Sequence, residues 1–341
     1  MSTSLTKAVT ACFSRILHDN LTRYHVAMST LPPIGLIGLG IMGRPMAGHL
    51  LKAGYPLSVF TRTKSRAESV LAAGAVWCDS PAAVAARCEI LITIVTDTPD
   101  VQAVLFGDAD LGRDTSAARN SAAAREAAAA ALKPGSIVVD MSTIDPTATR
   151  RFAAQLAERK IAMLDAPVTG GEIGAINATL TIMAGGDAAA FARVRPLFEK
   201  LGKKIAHVGP SGAGQSLKAC NQILCAVNMI AVCEALELVR AAGLDPAQAI
   251  DTLAAGSGGS WAWSTLGAKI VAGDLNPAFM IKLIQKDLRI AQSAADAAKL
   301  PLPGTALAQQ LFRAVEASPG GGNLGTQAMI LAYRRMMKAE G

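Results

Sequence analysis

The segment Gly38-Leu39-Gly40-Ile41-Met42-Gly43 constrains this chain more than any other stretch. It follows an apolar strand over residues 34–39 and precedes a helix over 45–52, ended by Gly54, and a second strand over 56–60. In a β-α-β unit each glycine of G-x-G-x-x-G has its own task. Gly38 turns the chain tightly, Gly40 lets the backbone approach a pyrophosphate, and Gly43 lets the helix pack on the sheet. The helix N-terminus then meets the phosphates with free N–H groups and the positive end of its dipole. A tight turn without a ligand does not account for glycine at all three places. Residues Gly38, Leu39, Gly40, Ile41, Met42 and Gly43 are therefore assigned to a dinucleotide loop.

The same alternation continues downstream. Strands are predicted over 76–78, 89–95, 137–140, 161–166 and 180–184, with helices over 64–73, 81–87 and 146–160. This rhythm predicts an α/β fold with a Rossmann-type, doubly wound parallel sheet. After Gly209 the strand pattern stops. Residues 214–242 form one apolar stretch without proline, read as a helix buried all round. Further helices are predicted over 246–254, 261–272, 281–298, 304–317 and 325–339. The domain plan is an N-terminal extension over 1–32, expected to be disordered, an NAD(P)-binding Rossmann domain over 33–209, and an all-α domain over 210–341. The boundary falls in Gly209-Pro210-Ser211-Gly212-Ala213-Gly214. An Ala/Arg/Ser-rich stretch over 108–131 reads as a surface helix or an insertion, with no function assigned.

The first 32 residues are rich in Ser and Thr and carry Lys7, Arg15 and Arg23 against Asp19 alone. They resemble a transit peptide, or an extension ahead of an internal start at Met28. The expected location is cytoplasmic, or mitochondrial if the leader is genuine.

Composition narrows the function classes. With 51% hydrophobic and 17% charged residues the chain is core-forming. Its net charge of +7 comes without a long basic run, and aromatics make up only 4%, so a nucleic-acid partner is not expected. No C-x-x-C pair occurs and the four histidines are scattered, which argues against a metal site. Cys220, Cys225 and Cys233 read as small buried residues of an apolar helix. No uninterrupted apolar run of about 18 residues occurs, and no membrane partner is expected.

The end of the second strand reads the 2′ position of the adenosine ribose. A carboxylate there would favour NAD; Thr61-Arg62-Thr63-Lys64 stands there instead. Arg62 offers a fork of donors to a 2′-phosphate, and Thr63 and Lys64 add to it. NADP is the expected cofactor. NAD is the alternative, if Arg62 merely stacks on adenine.

Five blocks in order resemble the β-hydroxyacid dehydrogenase family: the glycine loop continuing into Arg44-Pro45-Met46; Asp140-Met141-Ser142-Thr143; Asp165-Ala166-Pro167-Val168-Thr169-Gly170-Gly171; Gly212-Ala213-Gly214 leading to Lys218 and Asn221-Gln222; and Gln285-Lys286-Asp287-Leu288. The resemblance runs from Ile34 to the C-terminus. It implies that Lys218 is the catalytic lysine and that Thr169, Gly170 and Gly171 hold the substrate carboxylate. It implies too that Ser142 and Thr143 lie near the nicotinamide ribose and substrate, and that Lys286 reaches the cofactor from the helical domain. It also implies a homodimer or homotetramer. The chain departs from the family's usual pattern at Thr61, at Thr169 in place of Ser, and at Gln222 in place of a second Asn, the last as in tartronate semialdehyde reductases. The Asp-x-Ser-Ala patch is absent near residues 325–328.

The chemistry suits these residues. Hydride transfer to a carbonyl builds negative charge on oxygen, and a positioned acid must supply a proton. Burial and neighbouring positive charge bring a lysine toward neutrality. Lys286 and the nicotinium are candidate perturbers of Lys218. Gln222 lies one turn beyond Lys218 on the same helix face, placed to bond the amine or the substrate, while Asn221 points about 100° away. A hydroxyl followed by two unhindered N–H groups, as in Thr169-Gly170-Gly171, can cradle a small carboxylate. The expected function is reduction of a small semialdehyde or 2-oxo acid. The alternatives are an NAD-linked 3-hydroxyisobutyrate dehydrogenase and, in another class, a non-catalytic nucleotide sensor. Lys218 speaks against an imine reductase, and the C-terminal domain is too short for a 6-phosphogluconate dehydrogenase. Trp261 and Trp263 are read as shaping the substrate mouth or a subunit contact, or equally as plain packing residues.

Overall fold

Short apolar runs become strands buried on both faces. The computed structural model describes residues 31–107 and 127–338. In it β1 (Ile34–Ile37) and β2 (Leu57–Phe60) are buried throughout, β3 (Val76–Trp77) forms an exposed edge, and β4 (Ile90–Thr93) and β5 (Ile137–Asp140) are again buried throughout. Double burial explains why these segments read as continuous hydrophobic runs rather than alternating ones. The strands β6 (Ala162–Asp165), β7 (Val168–Thr169), β8 (Leu180–Gly186) and β9 (Gly202–Gly209) complete one sheet. Its order is β3-β2-β1-β4-β5-β6-β8-β7, with β9 on β8.

The helices between the strands are α1 (Gly43–Lys52), α2 (Glu68–Ala72), α3 (Pro81–Ala85), α4 (Thr98–Phe106), α5 (Ala128–Ala131), α6 (Pro146–Ala157), α7 (Gly171–Ile176) and α8 (Ala188–Phe198). After them come α9 (Ala213–Ala241), α10 (Pro246–Ala254), a π-helical turn (Ala262–Gly267), α11 (Ala268–Val271), α12 (Ile281–Ala297), α13 (Pro303–Glu316) and α14 (Ile330–Lys338). Several starts share a local code. Asp97, Asp145, Asp187 and Asp245 accept backbone N–H groups at the first turns of α4, α6, α8 and α10. Proline follows three of these caps, where its missing N–H costs nothing.

The sheet is mixed rather than purely parallel. β8 runs antiparallel to β6 and β7, and parallel to β9. The link from β6 to β8 holds only β7 and the short α7, so the chain returns without a crossover helix. The sequence reading also passed over α4, α7, α8, β7 and β9. β9 lacks a buried apolar run, because most of its residues are exposed or half-buried.

Met229, Val232, Cys233 and Leu236 of α9 form a core with Ile284 and Leu288 of α12 and with Phe312 of α13. The expectation that α9 is buried all round fails: Leu224 is 64% and Leu238 71% exposed. Of its cysteines only Cys233 is buried; Cys220 and Cys225 are exposed. Among the described residues α9 is the one helix whose length and mean hydropathy of 1.7 would suffice to cross a bilayer, a property that core helices share. The tryptophans part company. Trp263 is buried and donates through Nε1 to the Ile250 carbonyl at 3.1 Å, while Trp261 is exposed. The N-terminal extension up to residue 30 and most of the 108–131 stretch lie outside the described residues.

Candidate active site

The glycine loop leaves β1 where its neighbours diverge to β2 on one side and β4 on the other, the place where open α/β sheets bind ligands. Gly38 has φ of +107°, and a Cβ there would lie 2.1 Å from the Ile94 carbonyl oxygen. A Cβ on Gly43 would lie 1.9 Å from the Gly38 oxygen. Gly40 differs: a Cβ there would meet nothing within 4 Å. Two glycines are thus demanded by the protein's own packing, and the third faces free space. The first turn of α1 has no side-chain cap, but the Arg44 N–H bonds the Gly40 carbonyl at 3.1 Å and Pro45 has no N–H, so an anion would be met by the loop amides ahead of them. This arrangement fits a dinucleotide pyrophosphate. Leu39 is fully buried and Ile41 exposed, so the loop's apolar residues divide between core and surface.

At the end of β2 the Arg62 side chain is 76% exposed, and its Nη1 lies 3.5 Å from Oδ1 of Asp100. Thr63 leads into a 3₁₀ turn, and the Lys64 ammonium sits 5.2 Å from the Trp77 ring centroid. The segment itself holds no carboxylate, but α4 brings Asp100 to it. Asp100 belongs to the capping box with Asp97, and Asp97 in turn pairs with Arg289 of α12 at 2.5 Å.

The loop after β5 is held from several sides. Thr93 donates to Asp140 Oδ1 at 2.8 Å, and the Ser142 N–H to the same oxygen at 3.2 Å. The Ser142 hydroxyl accepts the Val95 N–H at 2.9 Å. Ser142 is therefore turned inward, and its predicted substrate contact is not made by a freely exposed hydroxyl. Burial pushes the Asp140 carboxyl up to about 6, against the lowering effect of Ser142 and Thr93. Its Oδ2 has no hydrogen-bond partner. Lys286 reaches from α12 and donates to the Thr143 carbonyl at 2.6 Å, so these two predicted cofactor residues meet.

Lys218 is only 6% exposed. Burial lowers its pKa below that of an ordinary lysine; Asp287 and Cys225 act against the shift and Lys286 with it. Gln222, one turn on, is also buried, but its amide donates to Asp287 Oδ2 at 2.5 Å rather than bonding the amine. Asn221 donates to the Gln222 oxygen at 2.6 Å. Lys286 Nζ lies 2.8 Å from Asp287 Oδ1, in ion-pair range but misaligned for a hydrogen bond, so that buried oxygen has no hydrogen-bond partner. Lys218, Gln222, Asp287 and Lys286 form one cluster where α9 crosses α12.

Thr169 pairs with Thr181 of β8, and Gly170 and Gly171, with φ of +125° and +62°, turn the chain into α7. His49 at the end of α1 bonds the carbonyls of Ala175 and Ile176, tying the dinucleotide helix to the helix after this turn. β8 also meets the start of α9: a Cβ on Gly214 would lie 2.3 Å from the Met183 oxygen. The turn and the lysine helix thus share one strand as their support.

Sequence reasoning missed Asp100, Asp165, Gln215 and Asp287 as members of this region. Asp165 and Asp287 lay inside the recognised blocks, and an acid closing a buried strand was a signal. Asp100 carried none, because its helix was not foreseen.

The profile for the NAD-binding domain of 6-phosphogluconate dehydrogenase matches residues 33–209, and that for the NAD-binding domain of NADP-dependent 3-hydroxyisobutyrate dehydrogenase matches 212–333. The chain is 43% identical over 303 residues to 2-hydroxy-3-oxopropionate reductase of Escherichia coli, covering 89% of this chain and 97% of that one. It is 40% identical over 287 residues to the NAD-dependent L-serine dehydrogenase of Pseudomonas aeruginosa, covering 82% and 91%. The solved structure of Mycobacterium tuberculosis 3-hydroxyisobutyrate dehydrogenase with L-serine superposes with a TM-score of 0.77 at 30% identity, covering 89% of this chain and 99% of that one.

Proposed function

This chain belongs to the β-hydroxyacid dehydrogenase family of NAD(P)-dependent oxidoreductases, and from that premise we propose that it is an NADP-dependent reductase of a small semialdehyde or 2-oxo acid, of the 2-hydroxy-3-oxopropionate reductase kind, with Lys218 as general acid and base. The observation that carries this reading is the buried Lys218 amine, lowered in pKa and set beside Gln222, Asp287 and Lys286.

The glycine loop receives the pyrophosphate, and Arg62, with Thr63 and Lys64, receives the 2′-phosphate. When bound, the cofactor supplies the hydride that goes to the carbonyl carbon. Lys218 gives a proton from Nζ to the carbonyl oxygen as charge builds there, and solvent returns that proton to the amine. In the reverse direction the neutral amine takes the hydroxyl proton of the hydroxyacid. Thr169, Gly170 and Gly171 hold the substrate carboxylate. Ser142 and Thr143 form the loop beside it, and Lys286 holds that loop. Gln222 orients the cluster through Asp287. In this reading the chemistry lies where a Rossmann domain over residues 33–209 gives way to the helical domain over 210–341. The enzyme is proposed to work in the cytoplasm as a homodimer or homotetramer, with exposed Leu224 and Leu238 of α9 suited to a subunit contact.

The test is a panel of small semialdehydes and hydroxyacids assayed with NADPH and NADH, alongside Lys218→Met. The expected result is turnover of a short carboxylate-bearing aldehyde with NADPH preferred, lost by about 1000-fold in Lys218→Met while the cofactor still binds. Full activity in Lys218→Met would remove the lysine from the chemistry. Binding of cofactor without turnover of any member of the panel would favour a sensor. Asp100 beside Arg62 favours a second reading, an NAD-linked 3-hydroxyisobutyrate dehydrogenase, which the same panel separates.

A further inference from the structure

We propose that Gln215 is a positioning residue that sets the distance between the Ser142-Thr143-Ile144 loop and the Lys218 amine. The proposal rests on the reading of Lys218 as the proton donor and adds a residue to it.

Gln215 is 1% exposed, and every polar atom of its side chain is engaged across a gap of more than seventy residues in sequence. Its Oε1 accepts the Ile144 N–H at 3.1 Å, and its Nε2 donates to the Ser142 carbonyl at 2.8 Å. The side-chain amide thus pairs with the loop as a neighbouring strand would, fixing register as well as proximity. A burial this complete leaves no water to replace a lost partner.

The other end of the residue is equally fixed. The Gln215 N–H donates to Asp165 Oδ2 at 2.9 Å, and the Gly212 N–H to Asp165 Oδ1 at 2.8 Å. The carboxylate at the end of β6 therefore caps the start of α9, where it also meets the positive end of the helix dipole. Gly214, between the two donors, lies so close to the Asp165 and Met183 carbonyls that a Cβ would sit 2.6 and 2.3 Å from them. These contacts hold the first turn of α9 closely against the ends of β6 and β8.

Gln215 and Lys218 lie on one face of α9, separated by a rise of about 4.5 Å. The loop held by the amide is thus held at a set distance from the amine. Lys286 fastens the same loop at the Thr143 carbonyl, and its neighbour Asp287 engages Gln222 beyond Lys218. The loop is thus gripped by one residue of α9 and one of α12. Without the Gln215 amide, Lys286 would be its remaining tie to these helices, while Val95, Asp140 and Thr98 hold it to the sheet side. A displacement of about 1 Å between a donor and its acceptor costs on the order of 100-fold in rate.

The experiment uses the full-length protein with Gln215→Ala and Gln215→Glu. The glutamate keeps the shape and the acceptor for Ile144, but turns the donor facing the Ser142 carbonyl into a second acceptor. Amide hydrogen exchange is read in the absence of substrate. Exchange at Ile144 should quicken in Gln215→Ala, and in both variants exchange over residues 38–43 should match wild type. With NADPH and the best substrate of the panel, kcat should fall by about 100-fold with KM for NADPH within about threefold, and the isotope effect from 4-deuterated NADPH should rise as hydride transfer becomes limiting. A merely structural role would lower the melting temperature and the folded fraction while leaving kcat per folded molecule and the isotope effect unchanged, and that result overturns the proposal. Unchanged Ile144 exchange in Gln215→Ala overturns it as well, and does so without any turnover. Loss of the Lys218 reading would show instead as full activity in Lys218→Met.

Discussion

Gln222 donates through its amide nitrogen to Oδ2 of Asp287 at 2.5 Å, joining α9 to α12 one helical turn beyond Lys218. The acid is buried, and its charge is felt by the lysine, whose proton affinity it raises against the opposite effect of burial. A single carboxylate thus orders the cluster and sets the balance of its one deeply buried amine.

Asp287→Asn should shift the pH at which hydroxyacid oxidation reaches half its maximum downward, because the amine loses the charge that favours its protonated form. The same change should slow carbonyl reduction at neutral pH by about tenfold, since less ammonium is available. Rates measured across pH in both directions decide the matter; an upward shift would contradict the assigned sign.

The glycine loop separates packing from binding. Gly43→Ala places a Cβ 1.9 Å from the Gly38 carbonyl and should cost about 2 kcal/mol of stability. Gly40→Ala meets nothing within the protein and should melt with the wild type, yet lose cofactor affinity by about 100-fold as the methyl blocks the approach of the pyrophosphate. Melting curves and NADPH titration by fluorescence check the pair together.

Arg62→Ala should weaken NADPH binding by about 30-fold, the worth of one charge-assisted contact, and leave NADH binding within about twofold. Asp100→Asn should act oppositely, strengthening NADPH binding a few-fold by removing a carboxylate 3.5 Å from the guanidinium. Equal effects on the two cofactors in either variant would remove Arg62 from 2′-phosphate recognition.

Asp140 makes stability depend on pH. Its carboxyl titrates at about 6 in the native state, against 3.8 for an ordinary aspartate. Below the lower value both states hold the proton. As pH rises between the two values the unfolded chain releases its proton first, so native stability falls, by about 3 kcal/mol once pH exceeds the upper value. Asp140→Asn keeps an acceptor for Thr93 and Ser142 and should flatten this fall. Thermal melts of both proteins from pH 3.5 to pH 7.5 test it, and parallel curves would show that the carboxyl does not titrate in that window.

Much of this fold was legible because its signals are local. The apolar runs at Ile34, Leu57, Ile90 and Ile137 became strands, and the glycine spacing located the loop between β1 and α1. The burial of Lys218 was foreseen for a partly mistaken reason. Its helix was read as surrounded by protein, yet Leu224, six positions on, lies open to solvent. Hydropathy counts apolar residues on a helix, but which face finds a neighbour depends on the elements packed against it. Gln222 was placed correctly on the Lys218 face, and its partner Asp287 was not foreseen, because sixty-five residues separate them.

The first strands, the glycine loop and the sharing of one helix face by Lys218 and Gln222 were legible in residue type and spacing, and the family resemblance singled out Lys218 itself. The first three depend on backbone conformation and periodicity, properties that a short segment carries with it. The tertiary structure alone decided that Asp165 caps the lysine helix, that Gln215 and Lys286 grip the loop after β5, and that Asp100 stands beside Arg62. Such contacts are set by the close approach of distant segments, where burial makes each polar group seek whichever partner the packing brings within reach.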